Sequence, residues 1–413
     1  MEPIKSKGLF FLPENKTTKI PGILTFSNQD GVILELLGTF TIVPGYHHII
    51  LGLTSEGKPV SLYRNEAIEF NFGSGFTVAT YKSRYLFIGI NFDTQRDLRF
   101  RTLGCRFNDL NEWLYIENLI SHKHNKDQNE TIIKFKSPIS KSINLNKDLV
   151  LILGQSYNER GERFPMKITI QETSLIKVLY KKRVPLDQLL ATLKKFQNLL
   201  TFVSQKQVYP YDISIDFRIK NDRKIHSASL YFQIPNYQES IKKSPKNYEF
   251  LFSPSLIPQK IDSLIHKWFE QGDALGLVIT EFCGQFYNPK MYQEDKFLSM
   301  TACLESFHRE FRVKKDISNI DRYKSLFEEG RSAFNWLLKI QSKNKFCEEL
   351  KDYRNDLTHN NPEKVLRTKN IHKLYQLTEY SKVIVVTAIL RELGLTNLEI
   401  KHIFKKNMIF RKL

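Results

Sequence analysis

The stretch "NKFCEELKDYRNDLTHNNP", residues 344–362, decides how the second half of this chain is read. Its apolar residues Phe346, Leu350, Tyr353 and Leu357 follow one another at steps of four, three and four, which is one face of an α-helix. At about 100° per residue, Asn355 and His359 project together on the side opposite that stripe. Arg354 falls on the flank, with a side chain long enough to swing its guanidinium toward them. Pro362 stops the helix and leaves the histidine at its end.

Outward from this helix, the same period recurs over 259–283, 294–312, 321–342, 370–393 and 397–406, with short connections that imply antiparallel neighbours in a bundle. Toward the N-terminus the period changes. "ILTFS", "GVILELLGTFTIV", "FTVATYKSRYLFIGINF" and "DLVLILG" are β-branched and aromatic runs punctuated by Gly, Pro, Asn and Asp, the composition of half-buried strands. One helix interrupts them at about 185–205, with Leu189, Leu193, Phe196, Leu200 and Val203 on one face. Two more strands, "YDISIDFRI" and "SASLYFQI", follow it. Residues 238–258 carry Pro and Lys without either period, as a connection does. The expected fold is α+β in two domains: residues 1–250 mainly antiparallel β, sandwich or jelly-roll-like with a helix, and 251–413 an all-α bundle.

Composition sets the class. With 41% hydrophobic and 26% charged residues, 30 Phe and 18 Tyr, the 413-residue chain has apolar surface for more than one core, which excludes a disordered protein. Lys and Arg number 62 against 44 acidic residues, and the net charge of +18 points to polyanionic partners. Cys105, Cys283, Cys303 and Cys347 form no metal or redox spacing and read as free thiols. His47 and His48 lack a third ligand at suitable spacing, so no metal and no cofactor is expected. The opening "MEPIKSKGLFFLPEN" has no apolar signal core, and "VIVVTAIL", 383–390, closed by Lys382 and Arg391, is too short to span a bilayer. The expectation is a cytoplasmic protein with no membrane contact.

Metal-free RNA scission needs a base for the ribose 2′-hydroxyl, a cation for the charge that builds on phosphorus, and a polar group that fixes geometry. Neutral imidazole titrates in the right range, guanidinium forks onto phosphate oxygens, and an amide hydrogen-bonds without titrating. His359, Arg354 and Asn355 match these needs. The same letters also read as an exposed polar helix end, and "RTKNIH" at 367–372 repeats the Arg-to-His spacing without the Asn.

"RNDLTH", 354–359, resembles the R-N-x3-H pattern of the HEPN superfamily. "MTACLESFHREF", 300–311, is similar to the "LE..HR" helix of its ApeA-type branch, and "KGLFFLPENKTTKIPGILTFSNQDGVILELLGTF", 7–40, resembles the opening of the ApeA N-terminal domain. The resemblance implies an anti-phage protein acting by abortive infection through a metal-independent HEPN endoribonuclease. Arg354 would bind the scissile phosphate, Asn355 would be its polar partner and His359 the acid or base. It also implies an RNA substrate, with tRNA one candidate, a homodimer or higher oligomer in which two such helices face each other, and a phage-derived trigger. Two other readings stay open: a non-catalytic HEPN module that binds nucleic acid or protein, and a β-sandwich ligand receptor with a helical dimerisation domain.

Within 300–311, Glu305 and Arg309 are spaced as an intrahelical ion pair, and His308 lies on the apolar side of its helix as a satisfied, partly buried residue. The N-terminal half shows no catalytic pattern and is expected to sense or restrain. "YKSRYLF" and "RDLRFRTLGCRF" interleave cations with aromatics, which suits either nucleic-acid stacking or a strand with aromatics inside and cations outside.

Overall fold

A computed structural model describes the chain apart from residues 42–44, 72–76, 116–119, 126–129, 136–139, 163–166, 219–223, 238–245, 289, 314–315, 360–369, 408 and 411–413. It divides into two compact units that interleave in sequence. The first comprises Met1–Leu110, Asn118–Lys194 and Tyr209–Lys242, and the second Asn111–Glu117, Lys195–Val208 and Lys243–Leu413.

The first unit is antiparallel β, as its alternating sequence requires. Strands β1 (Ile4–Leu12), β2 (Asn15–Ser27), β3 (Gly31–Leu36), β4 (His47–Thr54), β5 (Pro59–Asn71) and β6 (Val78–Ile88) pair in the order β1, β2, β3, β6, β5, β4. β4 pairs with β1 in turn, so these six strands close into a ring. Alternate residues such as Leu24, Phe26, Leu34, Leu62 and Tyr81 fill it. At Gly52 a methyl group would sit 2.6 Å from the Phe10 ring, so only glycine leaves that ring its place. β5 takes a left-handed residue at Arg64, φ 59°, and the buried Asn65 beside it ties both neighbours. Its Nδ2 donates to the His47 carbonyl at 2.9 Å, and its Oδ1 accepts from Ser83 Oγ at 2.6 Å.

The sheet continues from β6 through β14 (His226–Tyr231), β13 (Pro210–Phe217), β7 (Arg99–Phe107), β12 (Lys167–Pro185), β11 (Leu149–Glu162) and β10 (Lys141–Asn146). β8 (Ile120–Asn125) and β9 (Glu130–Phe135) form a separate hairpin. On β7, Phe100, Leu103, Cys105 and Phe107 are buried while Arg99 and Arg101 are exposed, so its aromatics point in and these cations out. After the short α1 (Leu110–Trp113), α2 (Leu186–Ser204) follows Pro185, and all five residues of its expected stripe are buried.

The second unit is the helical one. Besides most of α1 and the C-terminal half of α2, its helices are α3 (Ile261–Glu270), α4 (Gly276–Tyr287), α5 (Gln293–Phe311), α6 (Asn319–Phe334), α7 (Lys343–His359), α8 (Ile371–Glu392) and α9 (Asn397–Lys406). The single helix expected over 259–283 is two. The Gln271 N–H closes α3 onto the Lys267 carbonyl, and "QGDALG" holds two glycines where the chain turns. α6 stops at Phe334 and not near 342, because Trp336 Nε1 donates to the Ala333 carbonyl and Leu337 and Leu338 bury themselves from a turn. The helix α8 is buried almost all round over residues 380–390, the signature of a central helix. Lys382, expected as a charged flank, is buried within it. Its ammonium lies 3.7 Å from Glu379 and 5.6 Å above the Phe286 ring, and burial lowers its pKa.

Of the expected connection, 246–258 contributes Phe250, Leu251 and Phe252 to the core of this unit, and 238–245 lie outside the described residues. Trp113 Nε1 donates to the Phe252 carbonyl at 2.9 Å, and the Leu251 N–H to the Val203 carbonyl at 2.7 Å. The four cysteines are buried free thiols. Among the described residues, no helix is long and apolar enough to cross a membrane.

Candidate active site

The helix α7 is anchored at its N-terminal half. Phe346, Cys347 and Leu350 are buried, with the Phe346 ring 6.0 Å from Phe327 and 6.2 Å from Tyr380. Further along, Tyr353 and Leu357 are only partly covered, so the stripe loosens toward the helix end. Asp356, to which the periodicity assigns no role, is buried, and its Oδ2 has no hydrogen-bond partner among the described residues.

Arg354 does not swing freely. Its Nε lies 3.3 Å from Glu305 Oε1 on α5, and its Nη1 donates to Asn355 Oδ1 at 3.4 Å. The same Glu305 oxygen accepts a 2.6 Å hydrogen bond from Tyr323 Oη on α6. Burial first, and then the neighbouring Glu305 charge, push the Tyr323 phenol well above its usual pKa, so it acts as a donor. Glu305 is therefore not the intrahelical partner of Arg309 that the four-residue spacing suggested. It holds Arg354 from the neighbouring helix, a contact that spacing along one helix does not reveal. Thr358 Oγ1 donates to the Arg354 carbonyl at 2.9 Å, and His359, the last residue of α7, is exposed.

One turn beyond Glu305 on α5, and beside Tyr323 on α6, begins a second group of charges. His308 is buried, with Nδ1 3.3 Å from Nη1 of the buried Arg322. The guanidinium can only donate, so Nδ1 accepts and the ring proton sits on Nε2. Burial and the Arg322 charge lower the His308 pKa, which keeps the ring neutral as a structural residue. Arg312 forks both Glu329 oxygens through Nε at 3.0 and 2.8 Å and reaches Glu392 at 3.1 Å, tying α6 and α8 to the end of α5.

Arg354, Asn355 and His359 thus share one helix end, with the first two in contact. The first half of the copy at 367–372 falls outside the described residues, and His372 is exposed in the first turn of α8. Among the described residues no group of His, Cys, Asp and Glu side chains is arranged to hold a metal ion. Glu305 and Tyr323 are the members that sequence spacing missed, because each comes from a different helix.

A β-rich unit and a helical bundle with an Arg-Asn-His helix end define the class, a HEPN protein with an N-terminal β-domain. Residues 5–268 match the family described as ApeA N-terminal domain 1, and residues 298–399 match Apea-like HEPN. The chain belongs to the ApeA family. No curated protein and no solved structure matches it.

Proposed function

We propose that this ApeA-family protein is an anti-phage endoribonuclease whose bundle cleaves RNA by attack of the ribose 2′-hydroxyl on the adjacent phosphate, without a metal. The reading rests on one observation above all. Within the segment that matches Apea-like HEPN, a guanidinium held by a carboxylate and an amide shares a helix end with an exposed imidazole five residues on. With Nε engaged by Glu305 and Nη1 by Asn355, the Nη2 edge of Arg354, unpaired among the described residues, takes a phosphate oxygen and offsets charge that grows as phosphorus becomes pentacoordinate. His359, at the open end of the helix, accepts the 2′-hydroxyl proton or returns one to the leaving 5′-oxygen. Asn355 keeps the guanidinium plane oriented.

A polar helix end turned away from its own core suits a two-fold interface, and in this reading two copies present their α7 ends to one RNA strand. The active form is a homodimer or larger, the substrate is cellular or phage RNA with tRNA one candidate, and a phage-derived trigger releases the activity. The β-rich unit serves recognition and restraint.

The test is RNA cleavage by the full chain in EDTA, with analysis of product ends. Wild type is expected to leave 2′,3′-cyclic phosphates. His359→Ala is expected to cut on the order of 100- to 10,000-fold more slowly with RNA affinity retained. Undiminished cleavage by the variant, or 3′-hydroxyl ends, would overturn the reading. The second reading is a non-catalytic module in which the Glu305 ion pair only holds Arg354 in a binding surface. That reading predicts RNA binding with no His359-dependent cleavage.

A further inference from the structure

The strand "RDLRFRTLGCRF" contributes more than a solvated face. Its outward arginines open onto a cavity of about 900 Å³ within the β-rich unit. Arg96, Arg99, Arg101, Arg183 and Arg218 all line it, brought there from β7 and its leading turn, from β12, and from the end of β13. Two carboxylates share the lining, and both are already engaged. Asp97 Oδ2 accepts from the Thr94 N–H at 2.9 Å and from Thr94 Oγ1 at 3.0 Å, and Asp216 faces Lys177 at 3.3 Å.

The hydrogen bonds of Arg99 and Arg101 go to neutral carbonyl oxygens. Arg99 Nη2 donates to the Arg183 carbonyl and Arg101 Nε to the Tyr180 carbonyl, both at 3.2 Å, contacts that aim the side chains and leave their charge in place. Among the described residues, none of the five has a carboxylate within ion-pair distance. Five arginines lining one concavity concentrate positive charge there, and a multiply charged anion offsets it. Phosphate is the anion whose oxygens match the guanidinium fork. Apart from Asn91 and Thr102, the rest of the wall is apolar or glycine. Phe100 is buried beneath it, Phe217 is half-buried with its ring stacked 5.7 Å from His226, and Ile225 is exposed at the rim. A polyphosphate tail with a flat body matches both halves of the lining, and the volume lies in the range of small-ligand sites.

The geometry points to a nucleotide site: this cavity binds a nucleoside polyphosphate, with the phosphates among the arginines and the base against Phe217 and Ile225. The assignment is independent of the ribonuclease reading, since it concerns binding by residues of the β-rich unit alone.

Fluorescence polarisation of N-methylanthraniloyl-labelled ATP and GTP with the full-length protein tests it. Binding of at least one is expected, with unlabelled nucleotide competing, tripolyphosphate competing more weakly and adenosine or guanosine not at all. Arg183→Glu with Arg218→Glu is expected to weaken binding at least tenfold, and the lysine pair at the same positions to weaken it less. Neither arginine side chain makes a hydrogen bond to the protein among the described residues, so both variants should melt as wild type does. Equal binding by wild type and the glutamate pair, or no binding at about 1 mM probe, would overturn the assignment. So would displacement by a single-stranded RNA 20-mer, sensitive to the same glutamates, when unlabelled nucleotides do not displace the probe.

Discussion

Among single residues, Glu305 does most to set the candidate site, because it joins α5, α6 and α7. Its carboxylate lies 3.3 Å from Arg354 Nε and accepts the Tyr323 hydroxyl, so it fixes the position of the guanidinium. Glu305→Gln preserves shape and removes the charge. In an enzyme that uses Arg354 on the phosphate, kcat is expected to fall about tenfold, ~1.4 kcal/mol of transition-state stabilisation, with KM nearly unchanged. Single-turnover kinetics would show it, and a shifted KM at constant kcat would assign the pair to substrate binding instead. Arg354, Asn355 and His359 were legible because helical periodicity is local, whereas Glu305 and Tyr323 were not, since they reach the site from other helices. Asp356 illustrates the opposite limit: nothing in the spacing of α7 marks a carboxylate for burial.

Among the elements, α5 carries a pH dependence of its own. His308 is buried neutral beside Arg322, with its pKa held below the usual 6.5 by burial first and then by that charge. The unfolded chain takes up a proton near 6.5 that the folded chain refuses, so stability falls as pH drops below that value and goes on falling until the folded pKa is reached. Melting temperatures of wild type and His308→Gln between about pH 7.5 and 5.5 check this. A shallower decline is expected for the glutamine variant, whose amide oxygen can still accept from Arg322. The stripe of α2 reads correctly from its sequence, because its apolar face is continuous and Pro185 marks its start. The division between α3 and α4 does not, since "QGDALG" leaves the helical spacing intact on both sides. Lys382 reads as a helix flank because a buried lysine is tolerated only where Glu379 and the Phe286 ring happen to meet it.

On the scale of the whole molecule, the helical unit is not a C-terminal block. Lys195–Val208 and Asn111–Glu117 belong to it. Trp113 packs 6.2 Å from Phe196, Phe202 lies 5.5 Å from Trp268 and 5.4 Å from Phe282, and Tyr287 Oη bonds both Thr201 and the Val208 carbonyl. A fragment beginning at residue 255 lacks Trp113, Phe196 and Phe202, each worth ~3–5 kcal/mol when truncated in a core, against a total stability of ~5–15 kcal/mol. It is expected to show no cooperative unfolding transition by circular dichroism. Silence of such a fragment in a toxicity assay would therefore reflect a missing core and say nothing about restraint by the β-rich unit. What the sequence determined by itself was the pair of periods, two for the strands and 3.6 for the helices, together with the net charge and the placing of Arg354, Asn355 and His359 on one helix end. Tertiary structure alone decided the closure of β1–β6 into a ring, the carboxylate behind Arg354, the burial of Lys382 and the gathering of five arginines around one cavity. The reason is physical: periodicity arises between residues a few positions apart, whereas a strand's neighbour or a charge's partner is chosen by packing across the whole chain.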